Sequence, residues 1–167
     1  MSEAAVHARV EAIFTGPEEG GLIHQVESIE ALAGQGLEGD RYFLRRVAGQ
    51  ETDDPADQIT LFELEAIELT NAETDLDVKP LEMRRNIMTS GLSLADQIGK
   101  HLKIGNAVVE PMEDNPPCSW LVELVGKPLL KPMIKRGGVR GRIVVSGTIR
   151  AGDQIEVLEV DAQTETG

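Results

Sequence analysis

The sequence contains a single cysteine and no long apolar run, and these two shortages exclude several classes of protein. One cysteine cannot form a disulfide within the chain, so the fold must be stabilised by packing, and a reducing compartment would keep the thiol free. No segment approaches the roughly 20 consecutive apolar residues of a membrane-spanning helix. The N-terminus also lacks the basic start and apolar core of a secretory signal. We therefore expect a cytoplasmic protein that does not insert into membranes.

Positive charge is also scarce, and most of it is clustered. The 167 residues include 29 acidic and 16 basic side chains, a formal charge of −13, which disfavours general binding to nucleic acid or to an anionic membrane. Twelve of the basic residues nevertheless fall between Lys79 and Arg150, a stretch with only six acidic ones. This basic segment predicts a pocket for one compact anion, because a long polyanion would be repelled by the flanking sequence. The alternative interpretation is a surface of solvated lysine and arginine side chains.

Several common catalytic and metal-binding motifs are missing. The three histidines, His7, His24 and His101, are scattered and have no second cysteine to accompany them, so a zinc site of the usual ligand set is not expected. The glycine-rich stretches lack the Lys-Ser or Lys-Thr of a phosphate loop. Ser146 lacks the glycine that would precede a serine nucleophile in an elbow turn. These gaps exclude the usual zinc enzymes, nucleotide hydrolases and elbow-type serine hydrolases.

Strand patterns dominate the chain. Residues 5–14 alternate apolar and polar side chains, and the turn-rich residues 15–21 separate them from a second strand pattern over 22–32, which predicts a hairpin. Two β-branched runs within 141–160 flank "RAGD", which predicts another hairpin. Capping-box patterns at 60–63 and 93–96 predict two short helices. We therefore expect one mainly β domain over residues 1–160, an antiparallel β-barrel with a few short helices, followed by a flexible tail over 161–167.

The only cysteine lies in "NPPCSWLVELVG", residues 115–126. Asn115 is a favoured N-cap residue and Pro116 suits the first helical position, which would place Cys118 in the first turn of a helix. Unpaired amides and the positive end of the helix dipole would stabilise a thiolate there, the form of cysteine that acts as nucleophile or metal ligand. The alternative is that Cys118 is a small hydrophobic residue packed beside Trp120 and Leu121.

Five segments, in this order, resemble the MOSC domain, a family similar to the C-terminal domain of molybdenum cofactor sulfurase and also found as free-standing bacterial proteins. These are "GLEGDRYF" (36–43), "RRNIMTSGLSL" (84–94), "IGNAVVEPME" (104–113), "PPCSWLVELVG" (116–126) and "GGVRGRIVVSGTIRAGDQI" (137–155). Each segment alone is a weak signal, but five in order around one cysteine are fairly specific. One departure is that Asp40 is followed by Arg41 and Tyr42, where the family often has histidine, so no metal-ligating role is transferred to this loop.

The resemblance implies a β-barrel that binds the molybdenum cofactor (molybdopterin), a pterin-type anionic cofactor. The family's cysteine falls on Cys118, which would carry sulfur as a persulfide or ligate the metal through its thiolate. Its Arg-x-Asn segment falls on Arg84 or Arg85 with Asn86; we match it to Arg84 and regard Arg85 as an added charge. Its glycine-rich stretch falls on Gly137 and Gly138. The basic segment adds further candidates, so the predicted cofactor-binding set is Arg84, Arg85, Asn86, Lys131, Arg136, Gly137, Gly138, Arg140 and Arg142, with Cys118 as the catalytic or metal-ligating residue.

Three functions remain open on this basis. The first is cofactor binding or sulfur transfer; because the chain has no pyridoxal-binding half, sulfur would come from a separate cysteine desulfurase and pass to a molybdoenzyme acceptor. The second is a molybdenum-dependent oxidoreductase acting on N-hydroxylated small molecules. The third is a non-catalytic barrel that binds a small anion while Cys118 is merely packed.

Overall fold

The computed structural model describes residues 7–18, 20–49, 54–129 and 131–158. The predicted tail 161–167 and the first residues of the predicted strand 5–14 lie outside this part of the chain. The described chain is mainly β with three short α-helices, and none of these helices combines the length and hydropathy needed to span a bilayer.

The strands and helices alternate irregularly along the chain. The strands are β1 (Arg9–Thr15), β2 (His24–Val26), β3 (Ser28–Leu32), β4 (Gly36–Leu37), β5 (Ile59–Glu63), β6 (Ile87–Ser90), β7 (His101–Ile104), β8 (Ala107–Asp114), β9 (Val139–Val145), β10 (Gly147–Arg150) and β11 (Ile155–Leu158). The helices are α1 (Arg41–Val47), α2 (Leu64–Glu73) and α3 (Ser119–Val125), with 3-10 turns at Pro80–Met83 and Ala95–Gln97.

The strands form two sheets rather than one fully antiparallel barrel. The larger sheet has the order β11-β7-β8-β9-β5-β6-β1-β2, and the smaller one β10-β3-β4. The pair β5–β6 is parallel, so the prediction of purely antiparallel pairing is wrong at that point. Among the described residues the larger sheet ends at β11 and β2; only one isolated bridge, between Arg9 and Gln154, links β1 to the chain entering β11. A closed barrel is therefore not confirmed.

One of the two predicted hairpins is present. Strands β1 and β2 pair antiparallel with Ile13 opposite Val26, as the alternating pattern predicts. The hairpin predicted at "RAGD" is wrong, because β10 pairs with β3 whereas β11 pairs with β7. The turn itself exists, but the Gly152 amide donates to the Val10 carbonyl at 2.8 Å, so the turn is held against β1 and carries the chain from one sheet to the other.

Neither predicted capping box forms; the helix predicted after the first box is present but begins later, and a 3-10 turn replaces the second. Thr60 lies within β5, whose neighbouring side chains Leu61 and Phe62 are both fully buried on opposite faces of the sheet, so extended backbone buries more apolar area than a helix start would. Helix α2 begins only at Leu64. The segment at 93–96 forms a single 3-10 turn, and the chain is extended again in β7.

Two apolar cores lie on opposite faces of the larger sheet. Leu61 contributes to the core between the two sheets, and Phe62 to a second core covered by helices and turns. The second core includes Leu121 of α3 together with Leu129 and Met133. Packing of Leu121 therefore anchors α3 to the outer face of the larger sheet. This also fixes the position of Cys118, which directly precedes the helix.

Candidate anion-binding site

A small cleft of about 60 Å³ opens where the start of α1, strand β5, the segment before β6 and the segment before α3 meet. Its lining residues are Arg41, Tyr42, Ala56, Asp57, Thr60, Arg84, Arg85, Asn115 and Arg140. Four of the nine are arginines, and three of these, Arg84, Arg85 and Arg140, belong to the set predicted from sequence. The structure thus brings together residues that are separated by up to about a hundred positions in the chain.

Arg84 has no hydrogen-bond partner for its guanidinium among the described residues, and its Nε and Nη2 atoms are buried. Its backbone is left-handed, with φ 56° and ψ 35°. Such a conformation is uncommon outside glycine and costs of order 1 kcal/mol. Burial lowers the pKa of Arg84, and the nearby Arg41 guanidinium lowers it further. The protein therefore holds a half-buried cation in a strained loop, and two of its nitrogens are shielded from water without a protein acceptor.

Arg85 connects the cleft to the segment that carries the cysteine. Its Nη2 donates to the carbonyl oxygens of Asn115 at 3.0 Å and Pro116 at 3.3 Å. Its Nε is buried without a partner in the described structure. Burial lowers the pKa of Arg85 to about 10, and the negative form of Cys118 acts in the opposite direction. Arg85 is thus close enough to Cys118 for their charges to interact.

Arg41 is a member of the site that the sequence reasoning missed. It is buried at the start of α1; its Nη2 donates to the Arg84 carbonyl at 3.3 Å, and its Nη1 lies 3.5 Å from Asp40 Oδ1. Its guanidinium also lies over the Tyr42 ring, 5.2 Å from the centroid. The available signal was a cation in a glycine-rich loop, but its proximity to Arg84 depends on chain folding and could not be read from local pattern.

Asn86 is fully engaged with the protein and does not line the cleft. Its Oδ1 accepts from the amide and the hydroxyl of Thr60, at 3.1 and 3.0 Å. Its Nδ2 donates to the Phe14 carbonyl at 3.1 Å and to Asp40 Oδ1 at 3.3 Å. These bonds join β5, β1 and the loop before α1, so Asn86 fixes the chain position from which Arg84 and Arg85 project. Its predicted contact with a cofactor stays a prediction.

Cys118 is exposed and is the N-cap of α3, so the helix begins three residues later than the Asn115 cap predicts. The Asn115 amide donates to the Gly138 carbonyl at 2.9 Å, which keeps this segment in line with β8. Residues that precede proline are also disfavoured in helical backbone, and this applies to both Asn115 and Pro116. The thiol consequently faces solvent at the start of a helix rather than packing among apolar side chains.

The two glycines of the predicted loop have a steric role. Gly138 has φ +96°, and a Cβ there would collide with the Leu61 carbonyl. A Cβ on Gly137 would collide with the Asn115 carbonyl. Their lack of side chains lets the loop pack against β5 and against the segment before Cys118. Neither glycine lines the cleft, so their direct contact with a cofactor is untested.

The remaining predicted basic residues are either neutralised or outside the cleft lining. Arg140 lines the cleft but pairs with Glu113 at 2.7 Å, Asp57 at 3.0 Å and Asp54 at 3.2 Å. Outside the cleft, Arg142 pairs with Glu110 at 2.7 Å and Arg136 with Glu73 at 3.0 Å, while Lys131 is exposed. Most of these acidic partners come from outside the basic segment, so local sequence charge overstates its positive field.

Asp57 is the acidic member of the cleft. Burial raises its pKa, and the neighbouring Asp54 acts in the same direction, while Arg140, Arg46 and Arg45 oppose the shift. In the described part of the chain no three His, Cys, Asp or Glu side chains are grouped as a metal site. Cys118, close to this cleft through Arg85, carries a thiol, a soft donor.

Fold and site together describe a small mainly β protein with an arginine-lined cleft, the candidate anion cleft, beside an exposed thiol. The MOSC domain model matches residues 46–156, well over half of the chain. The protein belongs to the MOSC domain family, which is associated with molybdenum-cofactor function. No curated protein sequence matches the chain.

Solved structures with the same fold support this assignment at the level of architecture. The YuaD protein from Bacillus subtilis superposes with a TM-score of 0.77 at 19% identity, over 91% of this chain and 96% of that one. YiiM from Escherichia coli gives 0.67 at 20% identity, over 92% and 70%. YiiM from Geobacillus stearothermophilus gives 0.66 at 16% identity, over 94% and 78%.

Proposed function

We propose that this protein binds the molybdenum cofactor, with the cleft arginines holding an anionic group of the cofactor and Cys118 supplying a sulfur atom. The observation that carries the proposal is the set of buried, unpartnered guanidinium nitrogens, Nε and Nη2 of Arg84 and Nε of Arg85. A buried donor without an acceptor costs about 1–3 kcal/mol, and more when it is charged. A bound anion would remove this cost.

The donor set fits the chemistry of this cofactor. Guanidinium groups suit phosphate and metal-oxo oxygens because their planar forks donate two parallel hydrogen bonds. Arg41 lies close enough to Arg84 and to Arg85 for its charge to act on both, and an anion between them would relieve this repulsion. The cleft volume of about 60 Å³ admits one compact anionic group, so the rest of a pterin would lie along the surface.

The residues around the thiol would hold sulfur where it can react. Arg85 fixes the carbonyls of Asn115 and Pro116, and these precede Cys118 by only a few residues. A cysteine sulfur in this position could carry sulfane sulfur or ligate a soft metal. The bound cofactor would supply a molybdenum centre for atom transfer, next to the protein's own sulfur.

Several finer predictions remain part of this proposal. These are a closed barrel, a single domain spanning residues 1–160, a cytoplasmic location, and exchange of sulfur with a separate cysteine desulfurase or a molybdoenzyme acceptor. The near approach of β1 and β11 at the Arg9–Gln154 bridge supports closure of the larger sheet.

The test is to purify the protein from a bacterial host that makes the cofactor, then measure molybdenum, pterin fluorescence after oxidative release, and the mass of Cys118. We expect pterin in near-stoichiometric amount. Arg85→Gln should lower retained pterin at least tenfold, because a charge-assisted bond is worth about 1.5–3 kcal/mol. Arg142→Gln is the matched control and should retain it, because Arg142 is paired with Glu110 outside the cleft.

The outcomes also separate the alternative functions. Molybdenum that is lost in Cys118→Ala indicates a thiolate ligand and favours an oxidoreductase, whereas a persulfide on Cys118 without metal indicates a sulfur carrier. Protein that contains neither pterin nor persulfide, yet binds sulfate in the cleft, would contradict the proposal and leave a non-catalytic anion binder. Because Cys118 is exposed, its replacement by alanine should leave the fold intact.

A further inference from the structure

A second depression, of about 240 Å³, opens on the other side of Arg84. Its walls include Leu22 from the loop before β2, Leu81 from the 3-10 turn before Arg84, and Leu124 from the end of α3. We call it the leucine groove. Arg84 lines both the leucine groove and the anion cleft, so the two depressions share a cation.

The apolar walls of the leucine groove are unusually exposed. Leu22, Leu81 and Leu124 keep 78%, 42% and 41% of their surface accessible. Scattered exposed leucines are ordinary in soluble proteins, but three that converge on one depression form a contiguous apolar surface, which is typical of a binding site. Trp120, on the same helix, is 47% exposed and lies beside Gly20, which extends this surface toward Cys118.

The charge at the groove is positive. Glu82 also lines it, but its carboxylate binds Lys127 Nζ at 2.7 Å and accepts from the Lys79 amide at 2.9 Å. Its negative charge is therefore compensated. Arg84 has five N–H donors, and its guanidinium makes no hydrogen bond in the described part of the chain. It can thus donate to a group in the anion cleft and to another in the leucine groove.

We propose that the leucine groove binds the apolar body of a small organic anion whose acidic group receives hydrogen bonds from Arg84. The volume is below the roughly 300–1,000 Å³ of sites for drug-sized ligands, which indicates a small molecule rather than a protein segment. This inference rests on the proposed function: if the neighbouring cleft holds the cofactor, the small organic anion in the groove is the class of substrate that lies beside it. The groove also lies near the thiol, because Cys118 is the N-cap of the helix that carries Leu124, and the two residues are about 9 Å apart along the helix axis.

Two probes with the same aromatic body test this proposal. Anilinonaphthalene sulfonate carries a sulfonate, and phenylnaphthylamine lacks it; both fluoresce when they enter an apolar site. We expect the sulfonate to bind at least tenfold more tightly, since it gains charge-assisted hydrogen bonds from Arg84. Arg84→Gln should lower sulfonate affinity about tenfold and leave the neutral probe unchanged. The double variant Leu22→Ser/Leu124→Ser should weaken both probes by about tenfold.

The control is Leu44→Ser, which removes a 37% exposed leucine of α1 outside the groove and should change neither affinity. Equal affinity for the two probes in the native protein, or unchanged binding in Leu22→Ser/Leu124→Ser, would overturn the proposal. Pterin retention is measured on the same variants. A double variant that loses the probes but keeps pterin supports both proposals, whereas the expected probe pattern in a protein that never retains pterin contradicts the proposed function alone.

Discussion

The arginines of β9 and the arginines that precede β6 have opposite surroundings, although both groups belong to the basic part of the sequence. Arg140 is bound by three carboxylates and Arg142 by one. Arg84 has no partner in the described structure, and Arg85 binds only backbone carbonyls there, with one nitrogen left over. The difference shows that a binding site is identified by unmet hydrogen bonds rather than by the number of cations.

Strand geometry explains why β9 neutralises its own charges. Arg140 and Arg142 lie two positions apart on one face of β9, and the antiparallel neighbour β8 places Glu113 and Glu110 opposite them. Such cross-strand pairs of opposite charge stabilise a sheet. Arg84 and Arg85 instead follow a 3-10 turn, and in that position no strand neighbour supplies a carboxylate. Sheet arginines therefore contribute to stability, and loop arginines are available to a ligand.

The largest effect that separates the two groups is the loss of stability in Arg140→Gln. This variant leaves Asp54, Asp57 and Glu113 without their shared cation, and we expect the free energy of unfolding to fall by about 1–2 kcal/mol, more than an isolated surface pair would give. Urea denaturation followed by circular dichroism measures it. Arg142→Gln, which breaks a single partly exposed pair, is the comparison and should cost less than about 0.5 kcal/mol. Equal losses in both variants would contradict the network.

The opposite behaviour is expected of Arg84→Met. The side chain has no partner to lose among the described residues, and its partly buried charge is replaced by an unbranched apolar group, so the free energy of unfolding should stay constant or rise by up to about 1 kcal/mol. The same variant should lose the stabilisation that sulfate gives the native protein. A fall in stability comparable to that of Arg140→Gln would show that Arg84 serves the fold, and the comparison between the two groups would then fail.

Part of the candidate site could be predicted from the sequence. The family resemblance indicated Cys118, Arg84 and Arg85, and Cys118 does lie at a helix start, although three residues beyond the Asn115 cap that the capping preference indicated. Arg41 was missed because its approach to Arg84 depends on tertiary structure. The pairing of Arg140 with carboxylates could not be read from the basic segment, since its partners Asp54 and Asp57 lie more than eighty residues earlier in the chain.

Fold prediction succeeded where the signal was local. The hairpin β1–β2 joins neighbouring segments, and its alternation could be read directly. The parallel pair β5–β6 joins strands across a helix, and nothing in the short pattern at Thr60 distinguishes an extended residue from a helix cap. The segment is extended because Leu61 and Phe62 are buried in two different cores, on opposite faces of the sheet. The existence of these two cores is a property of the whole fold.

The smallest expected effect concerns Asp57, the carboxylate that lines the cleft between the two groups of arginines. Burial raises its pKa, so it becomes neutral at a higher pH than an ordinary aspartate. Its negative charge opposes a bound anion, and protonation also frees part of the positive field of Arg140. Sulfate affinity should therefore rise about threefold as pH falls through this pKa, an effect of well under 1 kcal/mol at a partly solvated site.

Sulfate is the suitable probe because it stays fully ionised across the range. Asp57→Asn should bind sulfate more tightly at neutral pH and show a flat profile in isothermal titration; a profile that kept its slope would assign the titration to another group.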